Sequence, residues 1–288
     1  MKDRDGTDVP AVSMFVPPGH FYSPIPDPAD VVRHLERHQA LVSIDSLPGI
    51  AIDRAAMVAL WSELVPSLRD APFPTHATPG YRYTYDNPAY GIGDGNLLHA
   101  MIRWSRPRHY IEIGSGWSSA CAMDTFDGFL DDPCDAMFIE PYPALLERLL
   151  GPCPRPPTIV AAKVQSVPLE AFDVLGAGDI LFIDSTHVLR TGGDVWHELF
   201  QILPRIRPGV LVHIHDMFWP FEYPRSWSLG EQRAWNEVYA VRAFLTDNPN
   251  WEILFFNDWF TRFERPLVTE TCPRILLNTG GALWLRRR

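Results

Sequence analysis

Cysteine is scarce in this chain. Four are present in 288 residues, Cys121, Cys134, Cys153 and Cys272, and they show neither Cys-x-x-Cys spacing nor the density of a disulfide scaffold. They read as reduced thiols. Long hydrophobic runs are missing too, since no stretch approaches the roughly eighteen continuous apolar residues of a membrane span. The first six residues are mostly charged and lack the apolar core of a secretion signal, so a soluble, cytoplasmic protein with no membrane partner is expected. Positive charge is in deficit, with 25 Lys and Arg against 35 Asp and Glu and a net charge of −10, and residues 286–288 form the only compact basic run. A phosphate backbone would find little to hold it, so no nucleic-acid partner is expected. There is no internal repeat and no low-complexity tract.

What the chain does have is core: 46% of its residues are hydrophobic, enough to bury a sizeable interior. The length suits a single α/β domain with an added N-terminal segment. We place the boundary at 93/94, with 1–93 as N-terminal extension and lid and 94–288 as the main domain.

Residues 109–120 read His-Tyr-Ile-Glu-Ile-Gly-Ser-Gly-Trp-Ser-Ser-Ala, an apolar strand that enters a glycine turn and opens a small-residue helix. This is the form of a nucleotide-cofactor site. Gly114 and Gly116 let the backbone turn sharply and approach a ligand without a Cβ in the way, and a helix starting near Trp117 aims open N–H groups at it. Ser119 stands where a dinucleotide fingerprint has its third glycine, and Glu112 lies two residues before Gly114. A pyrophosphate is therefore not expected.

The pattern acidic-x-Gly-x-Gly resembles the first motif of class I S-adenosylmethionine-dependent methyltransferases, whose cofactor carries a cationic sulfonium and a free amino acid end but no phosphate. The resemblance covers roughly 95–288. It implies a Rossmann-like methyltransferase fold: an α/β doubly wound, seven-stranded, mostly parallel sheet whose final strand is inserted antiparallel. It also implies S-adenosylmethionine held by Glu112, Gly114, Ser115 and Gly116, with Glu112 facing the methionyl ammonium through water or the turn backbone.

Glu140 closes the apolar run 136–139, about twenty residues past the turn, where a doubly wound fold places a carboxylate on ribose hydroxyls. Two further buried-type strands end in polar residues: 179–187 reads Asp-Ile-Leu-Phe-Ile-Asp-Ser-Thr-His and 210–216 reads Val-Leu-Val-His-Ile-His-Asp. Near-continuous apolar runs suit a parallel sheet covered on both faces, and ligands gather at the carboxyl ends of its strands. Asp184, His187, His215 and Asp216 all map to that edge.

If the two strands are neighbours, their ends lie about 5 Å apart, so Asp184 and Asp216 could share one cation. Two bare carboxylates that close would raise one pKa sharply, which makes a metal or an imidazolium the simpler arrangement. This resembles metal-dependent small-molecule O-methyltransferases, in which acids at the ends of the fourth and fifth strands hold a divalent ion. Here His215-Asp216 replaces the more usual acidic pair or Asp-Asn. The metal set is Asp184, His187 and Asp216, with Mg or Mn favoured over Fe, and Asp184 also borders the cofactor. His187 or His215 would remove a proton from an acceptor hydroxyl. His213 lies two residues deeper and reads as a core histidine.

The remaining elements follow from periodicity and turn signals. Helices are expected at 29–39, 54–68, 94–104, 192–206 and 231–247, and later strands at 158–161, 251–256 and 281–285. Residues 1–27 are rich in proline and glycine, yet Phe15, Phe21 and Tyr22 argue for docking over plain disorder. Residues 81–90 hold four tyrosines and either pack over the cofactor or cover a sheet edge. The aromatic stretch 217–224 is either a substrate wall or a loop anchored by its rings. The leading function is methyl transfer from S-adenosylmethionine to a hydroxyl of a natural-product-like small molecule; association into a homo-oligomer is compatible with it. Two alternatives stay open: an iron-dependent oxygenase using two histidines and a carboxylate, and a silent methyltransferase-like binding scaffold.

Overall fold

The computed structural model describes residues 14–39, 41–153 and 155–288. The first part of the segment expected to dock, 1–13, and Pro154 of the loop 152–157 lie outside the described residues. The chain divides into two compact units, one made of its first 43 residues with 224–234 and the other of 44–223 with 235–288.

In the smaller unit, helix α1 (Pro28–Gln39) packs beside a wide helical turn at Ser226–Gly230, and the Arg233 guanidinium lies 4.1 Å from the centre of the Trp227 ring. Phe15, Phe21 and Tyr22 differ from expectation. All three are exposed, and the Phe21 and Tyr22 rings lie tilted to one another with their centres 4.3 Å apart.

The larger unit carries the sheet. Its strands are β1 (His109–Ile113), β2 (Asp135–Ile139), β3 (Thr158–Val160), β4 (Ile180–Ile183), β5 (Leu211–Ile214), β6 (Trp251–Phe256) and β7 (Leu283–Arg287). They lie in the order β3-β2-β1-β4-β5-β7-β6, and β7 alone runs antiparallel to its neighbours. This is the expected α/β doubly wound, mostly parallel sheet. Every residue of β4 and β5 is buried, as a strand covered on both faces requires. Each large apolar side chain fully buried there contributes roughly 1.5–3 kcal/mol.

Helices α2 (Arg54–Arg69), α3 (Ile92–Ser105), α4 (Trp117–Phe129), α5 (Ala144–Leu150), α6 (Asp194–His197) and α7 (Glu237–Leu245) flank the sheet. Helix α2 starts where the Asp53 carboxylate accepts the Ala56 N–H at 2.9 Å, and it buries Met57, Leu60, Trp61, Leu64 and Leu68 at helical spacing. It packs on α3, so residues on both sides of position 93 share one unit. Among the described residues no helix is long and apolar enough to cross a membrane.

Three elements depart from their expected bounds, each for a tertiary reason. The helix expected over 192–206 is α-helical only at Asp194–His197; a wider turn at Glu198–Ile202 then brings Glu198, Leu199 and Ile202 inward together. The helix expected from 231 begins at Glu237, because the Asn236 and Glu237 N–H groups both donate to the His187 carbonyl at 3.1 Å. The last strand begins at 283, since the Gly281 and Ala282 carbonyls serve the N–H groups of Met217 and Asn257.

The chain runs from β1 outward to β2 and β3, then returns to place β4 on the other side of β1. That reversal opens a crevice at the carboxyl ends of β1 and β4. The registers Ile113↔Ile139, Ile113↔Ile183 and Ile183↔Ile214 keep the ends level. Glu140, Gly114, Asp184 and His215-Asp216 therefore follow one another along a single rim.

Candidate functional site

At the centre of the rim, Gly114 adopts φ +78°, and a Cβ there would sit 1.8 Å from the Asp184 carbonyl oxygen. Glycine is required by how closely the β1 turn approaches the end of β4. Gly116 is different. Its φ of 179° is extended backbone, and a Cβ would meet only a Leu145 methyl at 3.6 Å. The sharp turn expected of both glycines belongs to Gly114 alone; at Gly116 the missing side chain leaves room in a cavity.

Glu112 is fully buried beneath this turn. Its carboxylate accepts hydrogen bonds from the Tyr110 hydroxyl at 2.8 Å, from Ser118 at 2.7 Å and from Ser119 at 2.6 Å, and the Gly116 N–H donates to the Ser119 hydroxyl at 3.0 Å. Burial pushes its pKa up to about 7 against the pull of the three hydroxyls. Glu112 lines neither of the cavities above the turn, so it holds the turn from below. Ser119, which sequence reasoning saw only as a missing glycine, is the link between them.

Two adjoining cavities lie over the rim. One of about 200 Å³ is walled by Tyr90, the residues from Gly114 to Ser118, and Leu145. The other, about 380 Å³, extends over Tyr142, Lys163, Val164 and Arg190. Gly114, Glu140 and Asp184 border both. Glu140 is half-buried at the junction, where its carboxylate accepts the Tyr142 N–H at 2.7 Å and the Ser115 N–H at 3.2 Å. Its carboxylate thus stands at the end of β2 where the two cavities meet. The first turn of α4 has no side-chain cap and opens into the smaller cavity, which favours a carboxylate there.

Further along the rim, ligand atoms of Asp184, His187 and Asp216 converge within 4.8 Å of one another. His187 Nε2 lies 3.3 Å from Asp184 and 3.4 Å from Asp216, while its Nδ1 lies 2.8 Å from Glu237. His187 and Asp216 both have positive φ, +59° and +56°, a backbone state that side chains other than glycine rarely adopt and that clusters at functional sites. Burial works against the His187 charge, but hydrogen bonds to Asp184 and Glu237 outweigh it and hold the imidazole pKa well above its ordinary value. Burial likewise pushes Asp184 up, yet His215 and His187 bring it below the ordinary carboxylate range.

His215 stands apart from the converging set. Its Nε2 is 3.6 Å from Asp216 and its Nδ1 is 3.3 Å from His213 Nε2. One histidine, not two, therefore joins the carboxylates at this rim, and the two-histidine set read from Asp184, His187, His215 and Asp216 is not brought together there. His213 is buried and stacked on Phe182 at 4.0 Å, the core residue it was expected to be.

Asp184, His187 and Asp216 fit a divalent cation: they supply two hard oxygens and one nitrogen, and Glu237 fixes the other ring nitrogen of the histidine. Sequence reasoning missed Glu237. It also missed Asp94, buried on α3, whose carboxylate accepts the Gly281 N–H at 2.9 Å and whose pKa burial pushes up to about 6. Neither has a local signal. In the aromatic stretch 217–224, Met217, Trp219, Phe221 and Tyr223 are buried, the anchored-loop reading.

Among solved structures, the chain is similar to the S-adenosylhomocysteine-bound methyltransferase PaMTH1 of Podospora anserina, at 14% identity over 96% of this chain and 100% of that one, with a TM-score of 0.44. It is similar to the O-methyltransferase TomG of Streptomyces achromogenes at 18% identity over 88% and 97% of the two chains, with a TM-score of 0.43. An uncharacterised protein of Archaeoglobus fulgidus is 32% identical over 168 residues, which are 57% of this chain and 75% of that protein. The family described as Methyltransferase domain matches residues 111–217, from β1 through the strand-end acids to Met217. The chain belongs to this family and is a class I S-adenosylmethionine-dependent methyltransferase.

Proposed function

We propose that this methyltransferase acts on a hydroxyl oxygen of a small-molecule acceptor, with a divalent metal held by Asp184, His187 and Asp216. The observation that carries the reading is that Asp184 borders both cofactor cavities and is also one of the three converging ligands. Cofactor and cation would thus share a wall.

Each residue has a separate task. The Gly114 turn and the open first turn of α4 receive the methionyl end of the cofactor, and Glu140 receives its ribose hydroxyls. Methyl transfer is an in-line displacement, so positioning supplies most of the acceleration. A bound divalent ion would lower the pKa of the acceptor hydroxyl and hold the resulting oxygen. His187 has both ring nitrogens engaged, Nδ1 with Glu237 and Nε2 with the carboxylates, and serves as holder rather than base. Burial opposes the charge on His215, yet Asp184 and Asp216 raise its pKa; a divalent ion bound to those carboxylates would offset their charge and leave the His215 imidazole to take the acceptor proton. The net charge of −10 favours a small acceptor over a polyanion.

The test is a panel of hydroxylated small molecules screened for a methyl mass gain, with chelator and with Mg or Mn restored. Asp216→Ala is expected to lower turnover by about a thousandfold, through loss of a metal ligand, while cofactor affinity changes by less than about twofold. Full activity in chelator, or lost cofactor affinity in the variant, would refute the assignment.

A further inference from the structure

We propose that Tyr90 is a cofactor-binding residue whose hydroxyl donates a hydrogen bond to the carboxylate at the methionyl end of S-adenosylmethionine. The proposal rests on the cofactor lying in the crevice described above. Tyr90 belongs to the tyrosine loop before α3, for which sequence left two roles open, and it lines the smaller cavity together with the glycine turn.

Tyr90 is 2% exposed, and its hydroxyl has no hydrogen-bond partner among the described residues. A buried, unpaired hydroxyl is costly and calls for an explanation. Relaxing the loop is not an easy remedy. The Tyr90 N–H donates to Asn87 Oδ1 at 2.6 Å, and its carbonyl accepts from the Tyr83 hydroxyl at 2.8 Å and from Asn87 Nδ2 at 2.7 Å. The ring is held as well, 5.1 Å from His215 and 6.1 Å from Phe182 between centres. Both backbone and ring hold Tyr90 in the wall of a cavity that a ligand would fill.

Which part of the ligand meets it follows from charge. Burial, with Asp94 and Glu112 nearby, holds the phenol in its protonated form, so it is a donor in need of an acceptor. The open end of α4 in the same cavity favours an anion. The ribose hydroxyls belong with Glu140, and the sulfonium is itself a cation. The cofactor's remaining anionic acceptor is its amino acid carboxylate.

Tyr90→Phe tests this by calorimetry with three probes: S-adenosylmethionine, S-adenosylhomocysteine and 5′-methylthioadenosine, which lacks the amino acid end. The first two are expected to bind about tenfold more weakly, as for one lost hydrogen bond to a charged group, and the third to bind unchanged. The cofactor-free variant should unfold at or above the wild-type temperature, because it no longer buries an unpaired hydroxyl. Unchanged affinity for S-adenosylhomocysteine would overturn the proposal. So would equal losses for all three probes with a lowered unfolding temperature, the mark of a structural role. Failure of the wild-type protein to bind S-adenosylhomocysteine would instead overturn the cofactor assignment on which the proposal stands.

Discussion

The two ends of the crevice handle buried acid in opposite ways. Beneath the glycine turn, Glu112 has three hydroxyl donors around it and, among the described residues, no cation, and burial wins, so its pKa rises to about 7. At the rim, Asp184 faces two imidazoles, and its pKa falls below the ordinary range although burial opposes this. Hydroxyls satisfy the oxygens of a carboxylate without paying its charge; imidazolium does both. The turn end is thus built to hold a shape, and the rim end to keep its carboxylate charged.

The largest expected effect separates shape from room within the turn itself. Gly114→Ala should destabilise the protein by about 4 kcal/mol, because it combines a positive φ with a Cβ driven into the Asp184 carbonyl. Gly116→Ala should leave chemical unfolding within about 1 kcal/mol of wild type and weaken cofactor binding, since its Cβ enters the cavity and touches only Leu145 at 3.6 Å. Denaturant titration and calorimetry on both variants read the contrast. Equal destabilisation would show that Gly116 also serves the backbone.

The second effect is a pH dependence. Glu112 has its folded pKa raised from 4.5 to about 7, so the folded state binds its proton more tightly than the unfolded chain. That contribution to stability is fully present below about 4.5 and is lost as pH rises through about 7, a swing of about 3 kcal/mol at one kcal/mol and a third per unit. Glu112→Gln, neutral throughout, should flatten this slope of unfolding free energy against pH. Its amide oxygen can keep the two serines while Tyr110 turns to accept from the amide nitrogen. A slope as steep as wild type would place the titration elsewhere.

The same contrast explains what was legible in the sequence. The glycine turn, Glu140, Asp184 and Asp216 could be read because each demand falls on consecutive residues or on the residue that ends an apolar run. Glu237 could not, because it reaches His187 across 50 positions, through a helix start that the His187 carbonyl itself creates. Asp94 depends on Gly281, and the interruption at Glu198 depends on which side chains the sheet accepts. Tyr81 and Tyr90 share one loop and one residue type, yet one is exposed and the other buried. Only the packing around them tells them apart.

The smallest effect probes the rim through Glu237. Its carboxylate lies 2.8 Å from His187 Nδ1, fixes the ring and makes the opposite nitrogen a better ligand. Glu237→Gln keeps an oxygen to accept the Nδ1 proton but removes the charge, so metal affinity should fall by about tenfold. Glu237→Ala removes orientation too, and the loss should approach about a hundredfold. Cofactor affinity without metal should be unchanged in both, because Glu237 borders neither cavity. Titration of Mn with each variant separates the two contributions. If Gln and Ala lose equally, charge accounts for the whole effect and the ring is held by its packing against Trp235, 4.3 Å away between centres. If neither loses affinity, His187 is not a ligand, and the rim is an ion-pair cluster in which imidazolium takes the place of the metal.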